Sequence, residues 1–257
     1  MQKTIKRYKI IVYKIVKVDN IMDKDNKNIQ NNIENNYYKA YEKRYKQVYN
    51  NNYLWTSRKN TDEVIDTIKS ENIYNDAKIL EIGCGEGRDA IFLLENNYNV
   101  LAIDYSNTVI EKCNELSNYK YINNFKQFDI INDLLEEKFD FIYSIAVIHM
   151  FVNKKHREKF YNFINDHLNK DGVSLIISMG DGIKEYTSDI TKSFEDTKRT
   201  IINNGKSINV AATSCKIVSW PTFEKELADS NLIIKKKWIS NKIPEFDSSM
   251  CVLVSKK

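Results

Sequence analysis

The stretch "KILEIGCGEGRDA" at residues 78–90 determines the fold class of this chain. Only seven of the 257 residues are glycine, and three of these, Gly83, Gly85 and Gly87, fall within five positions. The apolar, β-branched run "AKILEIG" ends at the first of them, and "RDAIFLLENN" after the last repeats apolar residues at helical spacing. The stretch predicts a strand that turns through bare backbone into a helix, where N–H groups can approach a ligand closely.

Strand and helix patterns alternate after this turn. Further strands are predicted at "YNVLAIDY", "NFKQFDI", "KFDFIYSIAVI" and "GVSLIISMG", and amphipathic helices such as "SNTVIEKCNEL" separate most of them. Strands that are apolar throughout are typical of a parallel sheet that helices cover on both faces. "LIIKKKWIS" and "MCVLVSKK" are predicted as two closing strands.

Composition and charge exclude several classes of partner. Apolar residues at 42% and charged residues at 29% are typical of a globular protein, and no apolar run is long enough to span a membrane, so no membrane partner is expected. The net charge of +4 comes from residues 1–18, which hold six of the 39 basic residues and no acid. The remainder carries 33 basic against 35 acidic residues. A near-neutral body lacks the basic face of a nucleic-acid-binding protein.

The chain divides into an extension and one predicted domain. Residues 1–36 are basic and then Asn-rich, and residues 37–257 form the domain. Its first helices are expected within residues 37–70, and its insertion at residues 181–220, after the fifth strand. The first helix carries Tyr37, Tyr41, Tyr45 and Tyr49 at steps of four, a stripe more typical of core packing than of a ligand site.

Local signals predict four element boundaries. Asn60 and Glu63 are spaced as a capping box, Ser106 is expected to cap the helix after the second strand, and Pro221 to begin the last helix. Asn204-Gly205 in the insertion predicts a two-residue type I′ hairpin.

The four cysteines form no C-x-x-C pair and are widely spaced. A disulfide framework and a metal site are both poorly supported by this pattern, so no metal ligand is predicted. Reduced thiols in a cytoplasmic protein are the expectation.

The acids around the glycines point to a class of ligand. A nucleoside triphosphate loop requires a Lys after its last glycine, and a dinucleotide loop requires a glycine where Arg88 stands. Glu81 at the end of the strand would repel a pyrophosphate and attract an ammonium group. Asp104 ends the next strand, where an acid commonly binds both hydroxyls of a ribose. A ligand with a ribose, an amino group and no phosphate is implied, and S-adenosylmethionine fits this description.

From about residue 50 onward the chain resembles the class I S-adenosylmethionine-dependent methyltransferases. "LEIGCGEGRDA" is similar to the first motif of this family, "AIDYS" to the acidic second motif, "FKQFDI" to the adenine-binding segment and "FDFIYSIAVIHMF" to the fourth motif. "LNKDGVSLIIS" is similar to the turn before the fifth strand, with Asp171-Gly172 where Pro-Gly or Gly-Gly is usual. The Gly-Arg-Asp-Ala turn, with Trp55 and Arg58 upstream, looks most like the tellurite-resistance and thiopurine methyltransferase branch.

The resemblance implies a fold and a set of cofactor-binding residues. The fold is an α/β, Rossmann-like sheet of seven mostly parallel strands in the order 3-2-1-4-5-7-6, with the last strand antiparallel and helices on both faces. Asp129 would meet the adenine amine beside the Ile130 backbone, and the backbone near Ser144 and Ile145 would lie against the methionine part. The implied cofactor-binding residues are Trp55, Arg58, Glu81, Gly83, Cys84, Gly85, Gly87, Arg88, Asp104, Tyr105, Ser106, Asp129, Ile130, Ser144 and Ile145.

The expected reaction is in-line methyl transfer to a small-molecule thiol, amine, hydroxyl or chalcogen oxyanion. His149, just past the fourth strand, is the candidate catalytic base, whereas His156 and His167 fall on a helix with a solvated face. Asp181, Tyr186 and Cys215 are expected to border the acceptor pocket. Two alternatives stay open: a methyltransferase acting on RNA or protein, and a non-catalytic module that binds S-adenosylmethionine.

Overall fold

A computed structural model describes residues 31–201, 205–243 and 246–257. Most of the extension predicted at residues 1–36 therefore lies outside the described residues. The strands, in chain order, are β1 (Lys78–Ile82), β2 (Asn99–Asp104), β3 (Phe125–Gln127), β4 (Phe139–Ile145), β5 (Leu168–Met179), β6 (Tyr186–Thr187), β7 (Asp196–Thr200), β8 (Ser207–Ala211), β9 (Lys216–Ile217), β10 (Leu232–Ser240) and β11 (Ser249–Lys256).

Seven of these strands form the central sheet, in the order β3-β2-β1-β4-β5-β11-β10. Strands β1 to β5 pair in parallel. Strand β11 runs antiparallel to both β5 and β10. The predicted order 3-2-1-4-5-7-6 and the antiparallel last strand are confirmed.

Helices cover the sheet on both faces, as predicted. They are α1 (Ala40–Asn50), α2 (Asp62–Ser70), α3 (Arg88–Glu95), α4 (Asn107–Leu116), α5 (Lys154–His167) and α6 (Trp220–Asp229). Residues 31–36 are also helical and lead through a 3-10 turn, Tyr37–Lys39, into α1. None of the helices in the described part of the chain has both the length and the apolar character needed to cross a membrane.

Alternate residues of the buried strands enter two separate cores. Leu80 of β1 and Ile142 of β4 pack with side chains of α5 and α6, among them Phe160, Ile164, Phe223 and Leu227. Ile79 and Phe141 point to the other face and pack with side chains of α2, α3 and α4, among them Val64, Leu93 and Val109. The strands are apolar throughout because both of their faces are covered.

The hairpin in the insertion exists, but its predicted two-residue turn is wrong. Strands β7 and β8 pair as far as Thr200 with Ser207, whereas a turn at Asn204-Gly205 would extend the pairing to residues 203 and 206. Asn204 itself lies outside the described residues. Ile201 and Val210 are buried against Val48 of α1, so packing on that helix fixes this register.

Two of the predicted boundaries shift and one is confirmed. The Ser106 side chain accepts a hydrogen bond from the N–H of Val109 and caps α4, as predicted. The capping box at Asn60 is wrong: α2 begins after Thr61, and the hydroxyl of Ser240 donates to the Glu63 carboxylate. Pro221 lies in the first turn of α6, one residue after its start.

Candidate functional site

The glycine loop between β1 and α3 has a backbone that only glycine tolerates at its first position. The N–H groups of Gly83 and Cys84 both donate to the carbonyl of Ile103, at 2.8 and 3.0 Å. Gly83 has φ +69°, and a Cβ built there would lie 2.3 Å from Cγ2 of Val147. A Cβ on Gly85 would meet only the Tyr45 hydroxyl, at 3.5 Å, so this part of the loop presents bare backbone to open space.

Asp104 ends β2 beside this loop. Its Oδ2 accepts a hydrogen bond from the N–H of Gly85 at 3.1 Å, and its Oδ1 accepts one from the N–H of Ser106 at 2.9 Å. Burial raises the pKa of this carboxyl to about 6. Two backbone donors therefore hold a partly desolvated carboxylate in one orientation at the carboxyl end of the sheet.

Glu81 is a buried acid whose carboxylate is not fully hydrogen-bonded by the described residues. Its side chain is 3% exposed, and its Oε2 has no hydrogen-bond partner among the described residues. Burial, followed by the nearby charge of Asp89, raises the pKa of the Glu81 carboxyl. Buried polar atoms are normally paired, so this position calls for a donor, and an ammonium group would supply both hydrogen bond and charge.

A cleft of about 850 Å³ opens between the sheet, α1 and the insertion; we call it the large cleft. The large cleft is lined by most of the cofactor-binding residues predicted around the glycine loop and by His149. Two residues that were predicted to border the acceptor pocket also line it. These lining residues are Trp55, Glu81, Gly83, Cys84, Gly85, Arg88, Ile145, His149, Tyr186 and Cys215.

A second cavity of about 80 Å³, the small pocket, adjoins the large cleft and shares Gly83 with it. Four further residues that were predicted to bind the cofactor line the small pocket: Asp104, Tyr105, Asp129 and Ile130. Three tyrosines close it from the N-terminal side: Tyr38, Tyr41 and Tyr45. Tyr45 is buried in the core and Tyr41 packs against it, as the core-packing interpretation predicts, but both tyrosines also line both cavities.

The Asp129 carboxylate already accepts hydrogen bonds from other residues of this chain. Its Oδ2 accepts from the Tyr38 hydroxyl at 2.8 Å, and its Oδ1 accepts from the N–H of Ile131 at 3.0 Å. The Tyr38 ring packs edge to face on Tyr105, with the centroids 5.7 Å apart. The small pocket is thus rich in aromatic rings and carries two acids, Asp104 and Asp129, on its wall.

Four of the predicted cofactor-binding residues lie on neither cavity. Arg58 is exposed, whereas the N–H groups of Trp55 and Thr56 just before it donate to Glu86. Ser144 is fully buried within β4. Ser106 and Gly87 are also buried; the first caps α4, and the second packs too closely on Cys113 and Phe125 to admit a side chain. Asp181, expected at the acceptor pocket, is not on the lining either; its Oδ1 accepts from the N–H of Lys184.

His149 lies where the sequence predicted, on the wall of the large cleft. It belongs to the 3-10 turn Ile148–Met150, is 4% exposed, and its Nδ1 has no hydrogen-bond partner in the described chain. Burial, aided by the positive charges of Arg157 and Arg44, lowers its pKa to about 4, so the ring is neutral near pH 7. His156, expected on a solvated helix face, is instead buried, with Nδ1 3.1 Å from the Tyr37 hydroxyl.

Sequence reasoning missed two residues that shape the large cleft. Arg44 of α1 is 6% exposed, and its guanidinium lies 5.1 Å above the Tyr41 ring and 4.8 Å above the Trp55 ring. Glu86, between two loop glycines, accepts from the backbone of Trp55 and so joins the loop to the segment after α1. The position of Glu86 inside the glycine motif was an available signal, whereas nothing in the sequence marks Arg44.

These features together define a class of protein. A seven-stranded sheet in this order, a glycine loop after β1 and an acid at the end of β2 are the architecture of the class I S-adenosylmethionine-dependent methyltransferases. The unpaired Oε2 of Glu81 and the bare backbone of Gly85 fit the ammonium group and the close approach that this cofactor needs.

Residues 41–203 match the family described as Tellurite resistance protein TehB, and the chain belongs to that family. It is 29% identical over 114 residues to the probable S-adenosyl-L-methionine-dependent methyltransferase TehB of Haemophilus influenzae, a match that covers 44% of this chain and 40% of that protein. It is 31% identical over 125 residues to the histidine protein methyltransferase 1 homolog of Dictyostelium discoideum, covering 42% of this chain and 39% of that one. The matches thus span about two fifths of the length of these relatives.

Solved structures share the fold at low sequence identity. A S-adenosylmethionine-dependent methyltransferase from Clostridium acetobutylicum superposes with a TM-score of 0.58 at 18% identity, over 76% of this chain and 89% of that one. A TehB-like methyltransferase from Corynebacterium glutamicum gives a TM-score of 0.51 at 19% identity, over 76% and 86%. The expected fold class is confirmed by these likenesses.

Proposed function

We propose that this protein transfers the methyl group of S-adenosylmethionine to a small-molecule acceptor bound in the large cleft. The observation that carries the proposal is the pair of acids, Glu81 and Asp104, on either side of the bare glycine loop. One has an unpaired, buried oxygen, and the other is oriented by two backbone N–H groups.

Three parts of the cofactor have a matching group in this chain: the ribose, the ammonium group and the adenine. Asp104 would accept hydrogen bonds from the ribose hydroxyls, and Glu81 would pair with the ammonium group. Asp129 and the Ile130 backbone would meet the adenine in the small pocket, where Tyr105 offers an aromatic surface. When bound, S-adenosylmethionine supplies an electrophilic methyl group on a positively charged sulfur.

The contribution of the chain to such a transfer is mainly positioning. Methyl transfer from a sulfonium breaks one carbon–sulfur bond as the bond to the acceptor forms, and the electron pair stays on sulfur, so no covalent enzyme intermediate is needed. Holding two reactants in line can lower a barrier by roughly 7–11 kcal/mol. The walls of the large cleft, from β4, α1 and the insertion, are placed to provide that alignment.

His149 is suited to hold the proton of the acceptor. His149 lines the large cleft, and its buried Nδ1, which has no partner among the described residues, would accept a hydrogen bond from a thiol, amine or hydroxyl that reaches it. With a pKa of about 4, the ring is neutral over the whole physiological range but is a weak base. We therefore assign it a role in orienting and polarising the acceptor, with the proton passing on to solvent as product leaves.

The walls of the large cleft support a compact acceptor. Strand β8 is fastened to α1 by the Arg44 guanidinium, which donates to the carbonyls of Ala211 and Ala212. The side chain of Gln47 links both strands of the hairpin to the same helix, through Asp196 and the N–H of Ala211. A hairpin fastened in this way would restrict the space around the acceptor, which favours a compact molecule over a folded macromolecule.

Two measurements test the proposal. Calorimetry should show S-adenosylmethionine binding, and a panel of thiols, amines, phenols and chalcogen oxyanions should yield S-adenosylhomocysteine with at least one small acceptor. Absence of cofactor binding to the folded protein would contradict the proposal outright. Binding without turnover of any acceptor would favour the non-catalytic alternative, and RNA binding with a steep dependence on salt would favour a nucleic-acid acceptor.

A further inference from the structure

The wall of the large cleft formed by α1 and the insertion carries positive charge that the described chain does not neutralise. Arg44 is buried, yet its hydrogen bonds go to backbone carbonyls and its guanidinium lies over two aromatic rings. No carboxylate of the described residues lies within ion-pair distance of it. A buried, fully charged side chain without a counter-charge is costly, and an anion at this position would stabilise it.

Arg199 of β7 adds a second guanidinium to the same wall. It lines the large cleft, and its exposed side chain makes no hydrogen bond or ion pair with any described residue. Its charge acts on Arg44, whose pKa is lowered first by burial and also by Arg199. Both arginines lie close enough to Cys215, on the same lining, to oppose the rise that burial causes in the pKa of its thiol. Both guanidinium groups are positive and line one cleft, so an anion bound near both would offset their mutual repulsion.

Three acids on the cleft lining are engaged elsewhere, and the fourth, Glu81, is the one assigned above to the ammonium group of the cofactor. Glu86 accepts from the N–H groups of Trp55 and Thr56, and Asp89 accepts from Thr61 and pairs with Arg88. Asp189 accepts from the N–H and hydroxyl of Thr191. The charge of Asp189 is offset by Lys192, which lies near it on the same lining.

The large cleft is roomy and has apolar surface beside its polar and charged groups. Its volume of about 850 Å³ is within the range of clefts that bind drug-sized ligands. Apolar and aromatic side chains contribute much of its wall, among them Ile145, Met150, Met179, Tyr186, Ile217 and Phe246. An inorganic oxyanion could satisfy the arginines, but its few atoms would leave these surfaces in contact with water.

We propose that the methyl acceptor is an organic anion: a molecule with an apolar or aromatic body and a carboxylate or similar group that pairs with Arg199 and Arg44. This inference rests on the proposed function, because it names the substrate class of the same cleft. Arg199 contributes specificity by binding the anionic group and takes no part in the transfer itself.

The test is a binding measurement that does not depend on turnover. The affinities of 2-naphthoate and of its neutral isostere 2-naphthamide are measured by calorimetry, on the protein alone and on the protein loaded with S-adenosylhomocysteine. The comparison includes Arg199→Gln and the matched control Lys198→Gln, which removes a charge from the neighbouring exposed position of the same strand. Thermal unfolding confirms that each variant is folded.

We expect 2-naphthoate to bind about 10- to 100-fold more tightly than 2-naphthamide, the range for a hydrogen bond to a charged group. Arg199→Gln should remove most of this preference, and Lys198→Gln should retain it. Equal affinities for the two compounds would overturn the proposal, as would an equal loss in both variants or tighter binding of a chalcogen oxyanion than of 2-naphthoate. Failure of the proposed function would show separately, as an absence of S-adenosylmethionine binding or of S-adenosylhomocysteine production.

Discussion

The carboxylate of Asp104 accepts a hydrogen bond from the backbone N–H of Gly85, at 3.1 Å. The two residues belong to different segments, the end of β2 and the glycine loop after β1. A second link lies beside the first, because the N–H groups of Gly83 and Cys84 both donate to the carbonyl of Ile103. The loop and the acid that would bind the ribose therefore form one unit, and a change in either is expected to affect the other.

Asp104→Asn is expected to weaken S-adenosylmethionine binding by about 10- to 100-fold, because hydrogen bonds to a charged group are worth roughly 1.5–3 kcal/mol. The amide keeps the shape of the side chain, and its oxygen can still accept from one backbone N–H. Calorimetry measures the affinity, with Glu111→Gln on the exposed side of α4 as the control. Unchanged affinity in a folded Asp104→Asn protein would remove this acid from the cofactor site.

Cofactor binding is expected to weaken as pH falls below about 6. Burial raises the pKa of Asp104 to about 6, and the proton then competes with the ribose hydroxyls, at a cost of up to about tenfold per pH unit. The α-amino and α-carboxyl groups of the ligand, near 8 and 3.5 in peptides, do not titrate between pH 5 and 7. In Asp104→Asn the cofactor affinity should depend less steeply on pH. Any dependence that remains is assigned to Glu81, whose pKa burial also raises.

Protonation of Asp104 is expected to stabilise the ligand-free fold, although it weakens cofactor binding. The ordinary pKa of Asp104, 3.8, is that of the unfolded chain, so between pH 3.8 and 6 the folded protein binds more protons. This contribution to stability is present below pH 3.8 and is lost as pH rises through 6. Urea unfolding of the ligand-free protein should show that Asp104→Asn removes this decline between pH 3.8 and 6. A decline of equal size in the variant would exclude Asp104 as its cause.

Gly83→Ala is expected to destabilise the protein much more than Gly205→Ala. Both glycines have positive φ, +69° and +67°, so both substitutions carry a backbone cost of about 1–2 kcal/mol. Only at Gly83 would the new Cβ overlap Val147, at 2.3 Å, adding about 1–3 kcal/mol of overpacking. Urea unfolding midpoints compare the two variants. Adding Val147→Ala should recover part of the loss, and strictly additive effects would contradict the steric explanation.

Gln47→Ala is expected to loosen the hairpin from α1 while leaving cofactor affinity nearly unchanged. The Gln47 side chain donates to Asp196 at 2.9 Å and accepts from the N–H of Ala211 at 2.7 Å, and the substitution removes both bonds. Each is worth about 1 kcal/mol, so cleavage within β7–β8 by a protease should accelerate by roughly tenfold or more. Lys198→Ala, exposed on the same hairpin, is the matched control. Equal cleavage rates in both variants would show that Gln47 does not anchor the β7–β8 hairpin on α1.

The sequence predicted the sheet and its ligand-binding edge because these depend on local patterns. Apolar strands, amphipathic helices and the order of motifs implied the topology 3-2-1-4-5-7-6. The glycine loop and Asp104 could be placed because parallel strands end at one edge of the sheet. Signals that rest on a few adjacent residues were less reliable: the capping box at Asn60 and the turn at Asn204-Gly205 both gave way to packing from distant segments.

What the sequence by itself determined is therefore the scaffold and its first two acids, since backbone periodicity and bare turns are properties of neighbouring residues. The tertiary structure alone decided the acceptor side of the large cleft. Arg44 and Arg199 are separated by most of the chain length and line the same cleft only because α1 and the insertion pack on each other. The same folding turned Arg58 outward and brought Tyr38 onto Asp129. Contacts between distant segments depend on how whole elements pack, and no local pattern of residues encodes that packing.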